Sequence, residues 1–193
     1  MISSDDAGRP GSTAPSVPSP ADGARNRLEA LLAPLPVSCE LFPCDPALAD
    51  TAQFCAAYGF SAEDSANTIV VVGKANPRVY AACVVLAVAR LDVNRVVAGL
   101  LGTRKASFAG AEETRELTGM EIGGVTPFGL PAGLRILVDG AVMERERIVL
   151  GGGSRSWKVV APPALLAAVP GVEVVEGLAR RIDAAETPGA EPA

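Results

Sequence analysis

The residues best suited to hold a ligand through the backbone form the run GGVTPFG, from Gly123 to Gly129. Within this run, Gly123 and Pro127 stand at GxxxP spacing. Glycine lets a backbone approach a ligand closely and aim its N–H groups at an oxyanion, and proline stiffens the loop without adding a competing donor. The run therefore predicts an oxyanion-binding loop, with a turn that only reverses the chain as the alternative.

Two charged residues, Asp139 and Lys158, stand in otherwise apolar strand sequences. A charge that points inward needs a partner or a purpose, because burying it alone is costly. Side chains alternate along a strand, so Ser154 and Lys158 share one face while Arg155 and Trp157 share the other. Only one of these faces can point into a pocket. A solvated face is the alternative for each residue.

A second glycine run, GGGS at residues 151–154, resembles a phosphate-binding loop only superficially. It lies between two predicted strands, lacks GxGxxG or GxxxxGKS spacing, and does not open a helix whose N-terminus could hold phosphate. Gly152 and Ser154 are therefore interpreted as a strand bend that lines a pocket, or as an ordinary hairpin turn.

The chain has no histidine, which excludes Ser-His-Asp triads, Cys-His dyads and histidine-bound metal centres. Its four cysteines lack CxxC spacing, and we expect no metal, no cofactor and reduced thiols. The net charge of −5 disfavours extensive contact with nucleic acid, although one pocket can still be locally basic. The possible chemistry therefore depends on backbone donors, hydroxyls, lysines, carboxylates or the substrate's own groups.

The elements that must position these residues form one predicted domain at residues 25–178. Residues 1–24 and 179–193 are predicted to be disordered tails, because they are rich in Pro, Ser, Ala, Gly and charge. The first residues lack the basic and apolar regions of a secretory signal, and the longest apolar run, at 79–89, is too short to span a membrane. We expect a cytoplasmic protein with neither DNA nor a membrane as partner.

The hydrophobic pattern predicts more strands than helices. Helix signals include Asp45 and Asp92 as N-caps and Gly59 and Gly102 as stops. Because several neighbouring strands are joined too tightly for parallel crossovers, the predicted class is α+β with a mixed, largely antiparallel sheet. The predicted helices are 25–32, 46–58, 93–101, 111–117 and 163–169. The predicted strands are 37–42, 69–72, 79–87, 106–108, 134–138, 147–150, 155–160 and 172–175.

The segment TGMEIGGVTPFGLP, followed by a strand with Asp139 and then GGGSR, resembles the YbaK/EbsC family of tRNA-editing domains. The resemblance covers about residues 35–178. It implies a barrel-like sheet surrounded by helices, and an activity that hydrolyses the ester between a wrong amino acid and the terminal ribose of tRNA. Members act as free-standing proteins or within prolyl-tRNA synthetase, and neither metal nor cofactor is implied.

The resemblance also implies site residues. In the family, the loop backbone holds the aminoacyl group, and a lysine followed by threonine supports binding and catalysis; the corresponding dipeptide here is Asn67-Thr68. Asparagine keeps hydrogen-bond donors but carries no positive charge. Three accounts stay open: Lys158 replaces the missing ammonium, Asn67 orients water or ribose by itself, or the domain binds without hydrolysing.

Two functions are therefore expected as alternatives. In the first, a hydrolase acts on mischarged tRNA carrying a small amino acid such as Ala, Cys or Ser, presented where needed by an aminoacyl-tRNA synthetase. In the second, a binding module of the same fold recognises an aminoacyl group or a small ligand. The candidate catalytic residues are Asn67 and Lys158. The candidate substrate-binding residues are Thr68, Gly123, Gly124, Thr126, Pro127, Asp139, Gly152 and Ser154, with Gly123, Gly124 and Thr126 as donors to the ester carbonyl.

Overall fold

The computed structural model describes residues 20–182. Residues 1–19 and 183–193, which belong to the two predicted tails, lie outside this range. In chain order the strands are β1 (Glu40–Pro43), β2 (Ala66–Gly73), β3 (Val79–Leu86), β4 (Ala89–Leu91), β5 (Ala106–Phe108), β6 (Arg135–Asp139), β7 (Ile148–Gly151), β8 (Trp157–Ala161), β9 (Val172–Val175) and β10 (Ala179–Arg181). The helices are α1 (Pro20–Leu32), α2 (Thr51–Tyr58), α3 (Ala98–Leu100), α4 (Ala111–Thr118), α5 (Gly140–Met143) and α6 (Ala164–Ala167). None of these helices combines the length and apolar composition needed to cross a membrane.

The largest sheet has five strands in the order β5-β2-β3-β6-β9. The β2–β3 hairpin is antiparallel, with Asn67 opposite Val85, and β6 and β9 add to it in parallel. Strands β2 and β3 are buried along most of their length, which explains why their sequences are continuous runs of small and β-branched apolar residues. Asn67 and Thr68 lie near the start of β2, in this buried hairpin.

A second, antiparallel sheet has the order β1-β8-β7 and places Lys158 on its central strand. Lys158 lies between Phe42 of β1 and Gly151 of β7 in the register. A parallel bridge between Ser65 and Val149 brings the start of β2 next to β7. The two sheets therefore meet where the polar residues of both are found.

The predicted fold class is confirmed: five strand pairs in the described residues are antiparallel and two are parallel. The strands form three sheets and do not close into one barrel, the third sheet being the β4–β10 pair. Strand β10 lies beyond the predicted domain end at residue 178. Helix α1 begins at Pro20, before the predicted start at residue 25, and its Leu28 is buried in the core.

Two predicted helices are divided in the structure. The segment after Asp45 forms a short 3₁₀ turn, Pro46–Leu48, and the chain extends at Asp50 before α2 begins. Helix α2 ends at Gly59, which has the positive φ of 72° that favours glycine. The segment after Asp92 is a π-helical turn, Val93–Val97, that continues into α3. The first division matters for function because it exposes Asp50 at a helix start.

Aromatic side chains form a compact cluster, although only 4% of the residues are aromatic. Phe42 contacts Phe54, Tyr58 and Phe60 edge-to-face, with ring centroids 5.0 to 5.8 Å apart. Phe54 also stacks on Phe60 at 5.0 Å. These contacts hold α2 against β1 with the preferred aromatic geometry. Most of the rest of the core is built from Val, Leu, Ile and Ala.

Candidate functional site

A cavity of about 290 Å³ lies between the start of α2, the start of β2, the GxxxP loop and strands β7 and β8. Its walls are mainly apolar, with a few polar groups that converge on the interior, the usual composition of a small-molecule site. The lining residues are Asp50, Thr51, Phe54, Ser65, Ala66, Asn67, Thr68, Ile69, Ile122, Gly123, Val125, Val149, Leu150, Gly151 and Lys158. Four of the predicted site residues are therefore brought together: Asn67, Thr68, Gly123 and Lys158.

Lys158 places a buried ammonium group in the cavity wall. Its Nζ donates hydrogen bonds to the carbonyl oxygens of Ala49, at 2.6 Å, and Gly123, at 3.0 Å. It also lies 5.2 Å from the centroid of the Phe54 ring, within the range of a cation–π contact. Burial lowers the pKa of Lys158 from the usual value of an ammonium group. This one side chain therefore ties the α2 side of the cavity to the GxxxP loop.

Asn67 and Thr68 form the edge of the cavity at the start of β2. The Oδ1 of Asn67 accepts a hydrogen bond of 2.6 Å from the Thr51 hydroxyl. This bond fixes the carboxamide and leaves its NH₂ group as the donor to a ligand. The Thr68 side chain is buried, and its hydroxyl has no hydrogen-bond partner within residues 20–182. A buried hydroxyl without a partner is costly, so Thr68 is a candidate contact for water or substrate.

The GxxxP loop approaches the cavity through Gly123, whose φ of 89° favours glycine. The Gly123 carbonyl faces Lys158, and no acceptor for the Gly123 N–H is found in the described part of the chain. Two of the three predicted donors are already used: the Gly124 N–H bonds to the Glu121 carbonyl at 2.9 Å, and the Thr126 N–H contacts the Met120 sulfur at 3.4 Å. Gly123 is therefore the one predicted donor left for an ester carbonyl.

Thr126 and Pro127, at the end of the GxxxP loop, are buried and do not line the cavity. The Thr126 side chain has 0% exposure, and its hydroxyl also lacks a partner among the described residues. Pro127 lies on the opposite side, along a groove formed with residues 129–136. The structure thus gives both residues a place in the support of the loop and not in the cavity lining.

The glycine run at 151–153 supports the GxxxP loop by direct backbone packing. The Gly153 N–H donates to the Gly124 carbonyl at 2.8 Å, and a Cβ on Gly151 would overlap the Val125 carbonyl oxygen. A Cβ on Gly124 would come within 2.5 Å of the Ser154 backbone. No larger residue fits at Gly124 or Gly151 without moving the loop.

Gly152 and Ser154, predicted to line the pocket, serve the turn between β7 and β8 instead. The Gly152 N–H donates to the Trp157 carbonyl at 3.0 Å. The Ser154 hydroxyl accepts from the Ser156 N–H at 3.3 Å. Of this segment, Gly151 is the glycine that reaches the cavity.

Asp139, which was predicted to bind substrate, is not among the residues that line the cavity. One carboxylate oxygen accepts from the Ala141 N–H at 3.1 Å and caps α5. The other accepts from the Ala179 N–H at 2.8 Å and anchors β10. The buried charge does have a purpose, as its apolar context predicted, but that purpose is structural.

Three residues that the sequence did not single out join the site: Asp50, Thr51 and Arg155. Arg155 donates to the Pro46 carbonyl at 2.9 Å and to the Ile122 carbonyl at 3.0 Å, so it joins the segment before α2 to the GxxxP loop. Its Nη1 lies 3.4 Å from Asp50 Oδ1. The signal for Asp50 and Thr51 was an N-cap sequence concealed within one long predicted helix.

No cysteine or histidine is among the residues that line the cavity. The nearby Cys44 is buried, and burial raises the pKa of its thiol, which keeps it protonated. In the described residues, no group of three or more His, Cys, Asp or Glu side chains comes together around a metal position. The arrangement instead offers an ammonium, an amide, a hydroxyl and a backbone N–H around a small space. Such donors can hold a carbonyl and stabilise negative charge that develops on its oxygen.

Comparison with known proteins identifies the fold and family. The model of the aminoacyl-tRNA editing domain matches residues 45–168, more than half of the chain. The chain belongs to the aminoacyl-tRNA editing domain family. The matched range includes every residue that lines the cavity of this editing domain.

Solved structures share the fold of this editing domain along nearly their whole length. A proposed trans-editing enzyme for prolyl tRNA synthetase aligns with a TM-score of 0.69 and 25% identity, covering 83% of this chain and 98% of the other. A hypothetical protein aligns with a TM-score of 0.66 and 25% identity, covering 78% and 97%. A scaffold protein used for computational epitope grafting, at 22% identity, a TM-score of 0.67 and coverage of 82% and 97%, shows the fold alone.

Proposed function

We propose that this editing domain hydrolyses the ester that joins a small amino acid to the terminal ribose of a mischarged tRNA. Family membership supports action on aminoacyl-tRNA, and a similar structure is that of a proposed trans-editing enzyme. The observation that carries the proposal is the meeting of the Lys158 ammonium, Asn67 and the Gly123 backbone in one small cavity.

The dimensions of the cavity favour a small amino acid. Its volume of about 290 Å³ lies just below the range of about 300–1,000 Å³ that is usual for small-molecule sites. Ribose and the ester use part of this space, and the packed rings behind Phe54 limit expansion on one side. Ala, Cys and Ser are the substrates of matching size.

The proposed chemistry is attack of water on the ester carbonyl. The carbon–oxygen bond to ribose breaks, the amino acid leaves with the new hydroxyl, and the ribose oxygen receives a proton. The Gly123 N–H and the remaining N–H of the Lys158 ammonium stabilise the negative charge that develops on the carbonyl oxygen. Asn67, oriented by Thr51, holds the water or the ribose.

This proposal selects among the three accounts of the missing family lysine. Lys158 supplies the positive charge from β8, and Asn67 supplies a neutral donor from β2. The buried position of Lys158 favours this account, because a cation with two backbone acceptors is held firmly inside the cavity.

A non-hydrolysing binding module is the second candidate. It is favoured by the hydrogen bonds that the polar groups of the site already make to the protein itself. The Asn67 carboxamide oxygen accepts from Thr51, and two N–H groups of Lys158 donate to backbone carbonyls. Such a module would bind an aminoacyl ester and leave it intact.

Single-turnover hydrolysis separates the two candidates. With enzyme in excess, tRNA acylated with Ala, Cys, Ser or Phe and labelled at the terminal adenosine is followed over time. The proposal predicts hydrolysis of at least one small aminoacyl-tRNA above the uncatalysed rate, with Phe-tRNA unaffected. Binding of the small substrates without acceleration would establish the binding module.

The proposed partner is the aminoacyl end of tRNA, presented by a synthetase where the domain's own contact is weak. The net charge of −5 argues against an extended tRNA-binding face. The proposed location is the cytoplasm, where charged tRNA is used and free thiols such as those of this chain stay reduced.

A further inference from the structure

We propose that Asp50 recognises the α-ammonium group of the aminoacyl substrate, so that the cavity selects aminoacyl esters over esters without a free amino group. This inference rests on the proposed function and adds a specificity-determining residue to it. It follows from the position of the Asp50 carboxylate, which does not make the capping hydrogen bond that is usual at the start of a helix.

Asp50 occupies the N-cap position of α2, with φ −67° and ψ 138°, but its side chain makes no capping hydrogen bond. An aspartate at this position normally accepts a backbone N–H of the first turn. The same chain shows the ordinary behaviour three times, at Asp45, Asp92 and Asp139, which each accept such a bond. The Asp50 carboxylate is therefore directed away from its own helix.

The carboxylate is directed toward the loop that holds the ester in the proposed function. Asp50 Oδ1 lies 3.3 Å from the point where a Cβ on Gly123 would stand, and 3.4 Å from Nη1 of Arg155. Arg155 also donates to the Ile122 carbonyl, so it holds Asp50 and the loop in one arrangement. The Asp50 side chain is 59% exposed, which leaves it accessible to a ligand.

The charges of the cavity fit the two ends of an aminoacyl group. Asp50 is the one carboxylate and Lys158 the one ammonium among the lining residues. The ester carbonyl oxygen becomes negative during hydrolysis, whereas the α-ammonium next to it is positive. Binding the carbonyl at Lys158 and Gly123 therefore directs the ammonium to Asp50, because the reverse orientation would place two cations together.

The test compares alanyl-tRNA with lactyl-tRNA, in which a hydroxyl replaces the ammonium at almost the same size. Values of kcat/KM, each divided by the uncatalysed rate of that ester, are measured for the wild type, Asp50→Asn and Glu116→Gln. Asparagine is as good an N-cap as aspartate, so the helix start is kept. Glu116, on exposed α4, provides the same change of charge away from the cavity.

We expect the wild type and Glu116→Gln to prefer alanyl-tRNA by about 10- to 100-fold, the value of one charge-assisted hydrogen bond. Asp50→Asn should lose most of this preference through slower hydrolysis of alanyl-tRNA, with hydrolysis of lactyl-tRNA almost unchanged. Equal treatment of the two esters by the wild type, or an unchanged preference in Asp50→Asn, would overturn the inference.

If the wild type hydrolyses neither ester, the proposed function fails, and the role of Asp50 is then decided by binding. The probes are 3′-alanylamino-3′-deoxyadenosine and its lactyl counterpart, two amides that cannot be hydrolysed in place of the ester. At least tenfold tighter binding of the alanyl amide that disappears in Asp50→Asn supports recognition of the ammonium. Equal binding of both amides overturns it.

Discussion

Replacing Lys158 with methionine tests the residue on which the proposed chemistry most depends. Methionine has a similar length and suits the apolar surroundings, but it cannot donate to Ala49 or Gly123. The change removes one charge-assisted hydrogen bond to the loop, worth about 1.5–3 kcal/mol. If that energy is needed to hold the loop in the transition state, hydrolysis should fall by about 10- to 150-fold. The assay is single-turnover hydrolysis of alanyl-tRNA.

The matched control is Lys74→Met, which removes the same charge from an exposed position in the β2–β3 turn. We expect this variant to keep the wild-type rate. We also expect Lys158→Met to remain folded, because methionine has a similar length and does not carry the cost of burying a charge. Its thermal melting curve checks this point. A folded Lys158→Met protein with the wild-type rate would refute the role of Lys158.

The pH dependence gives a second measure of the same residue. Burial lowers the pKa of Lys158, so the ammonium loses its proton at a lower pH than an exposed lysine. Hydrolysis corrected for the uncatalysed rate should therefore decline as the pH rises through this lowered pKa. The contribution of Lys158 to stability changes with pH in the opposite direction. Between the lowered pKa of the folded protein and the usual pKa of lysine, Lys158 is protonated in the unfolded chain but not in the folded protein. The free energy of unfolding therefore rises with pH in this interval.

Three further predictions concern the loop, the hairpin and the core. Gly123→Val should abolish hydrolysis, because φ at this position is 89° and the new side chain would contact Arg155. The control is Gly133→Val, which has a similar φ of 86° but open space around it, and which should cost about 1–3 kcal/mol of stability without loss of rate. Kinetics and denaturant unfolding check both variants. Asn67→Lys should give no more than a twofold gain, since an ammonium is already present, but should restore much of the rate in a Lys158→Met background. Burial raises the pKa of Cys83 to about 12, so its thiol should resist iodoacetamide at pH 8 until the protein unfolds. The same shift predicts that stability falls above about pH 9 in the wild type and less in Cys83→Ala.

The sequence predicted the main sheet well because its strands are coded by local pattern. The runs at Ala106–Phe108 and Val172–Val175 were predicted with the bounds that the structure shows. Strands β4 and β10 were missed because they carry arginine and pair only with each other, across a long separation in sequence. No local periodicity distinguishes such strands from a loop.

The site was only partly predictable for a related reason. Alternation along β8 restricted Lys158 to one of two faces, but the register with β1 and β7 decides which face points inward. Asp139 was correctly expected to need a partner, yet its partners are backbone groups, one of them 40 residues away in sequence. Asp50 was missed because it lies at a break within what the hydrophobic pattern suggested was a single helix.

A crystal structure with bound 3′-alanylamino-3′-deoxyadenosine tests most directly whether this cavity is the aminoacyl site. We expect the alanyl carbonyl oxygen within hydrogen-bond distance of the Gly123 N–H or Lys158 Nζ, with the ribose beside Asn67. Occupation of a different groove, in a complex whose binding is unaffected by Gly123→Val, would show that this cavity is not the aminoacyl site.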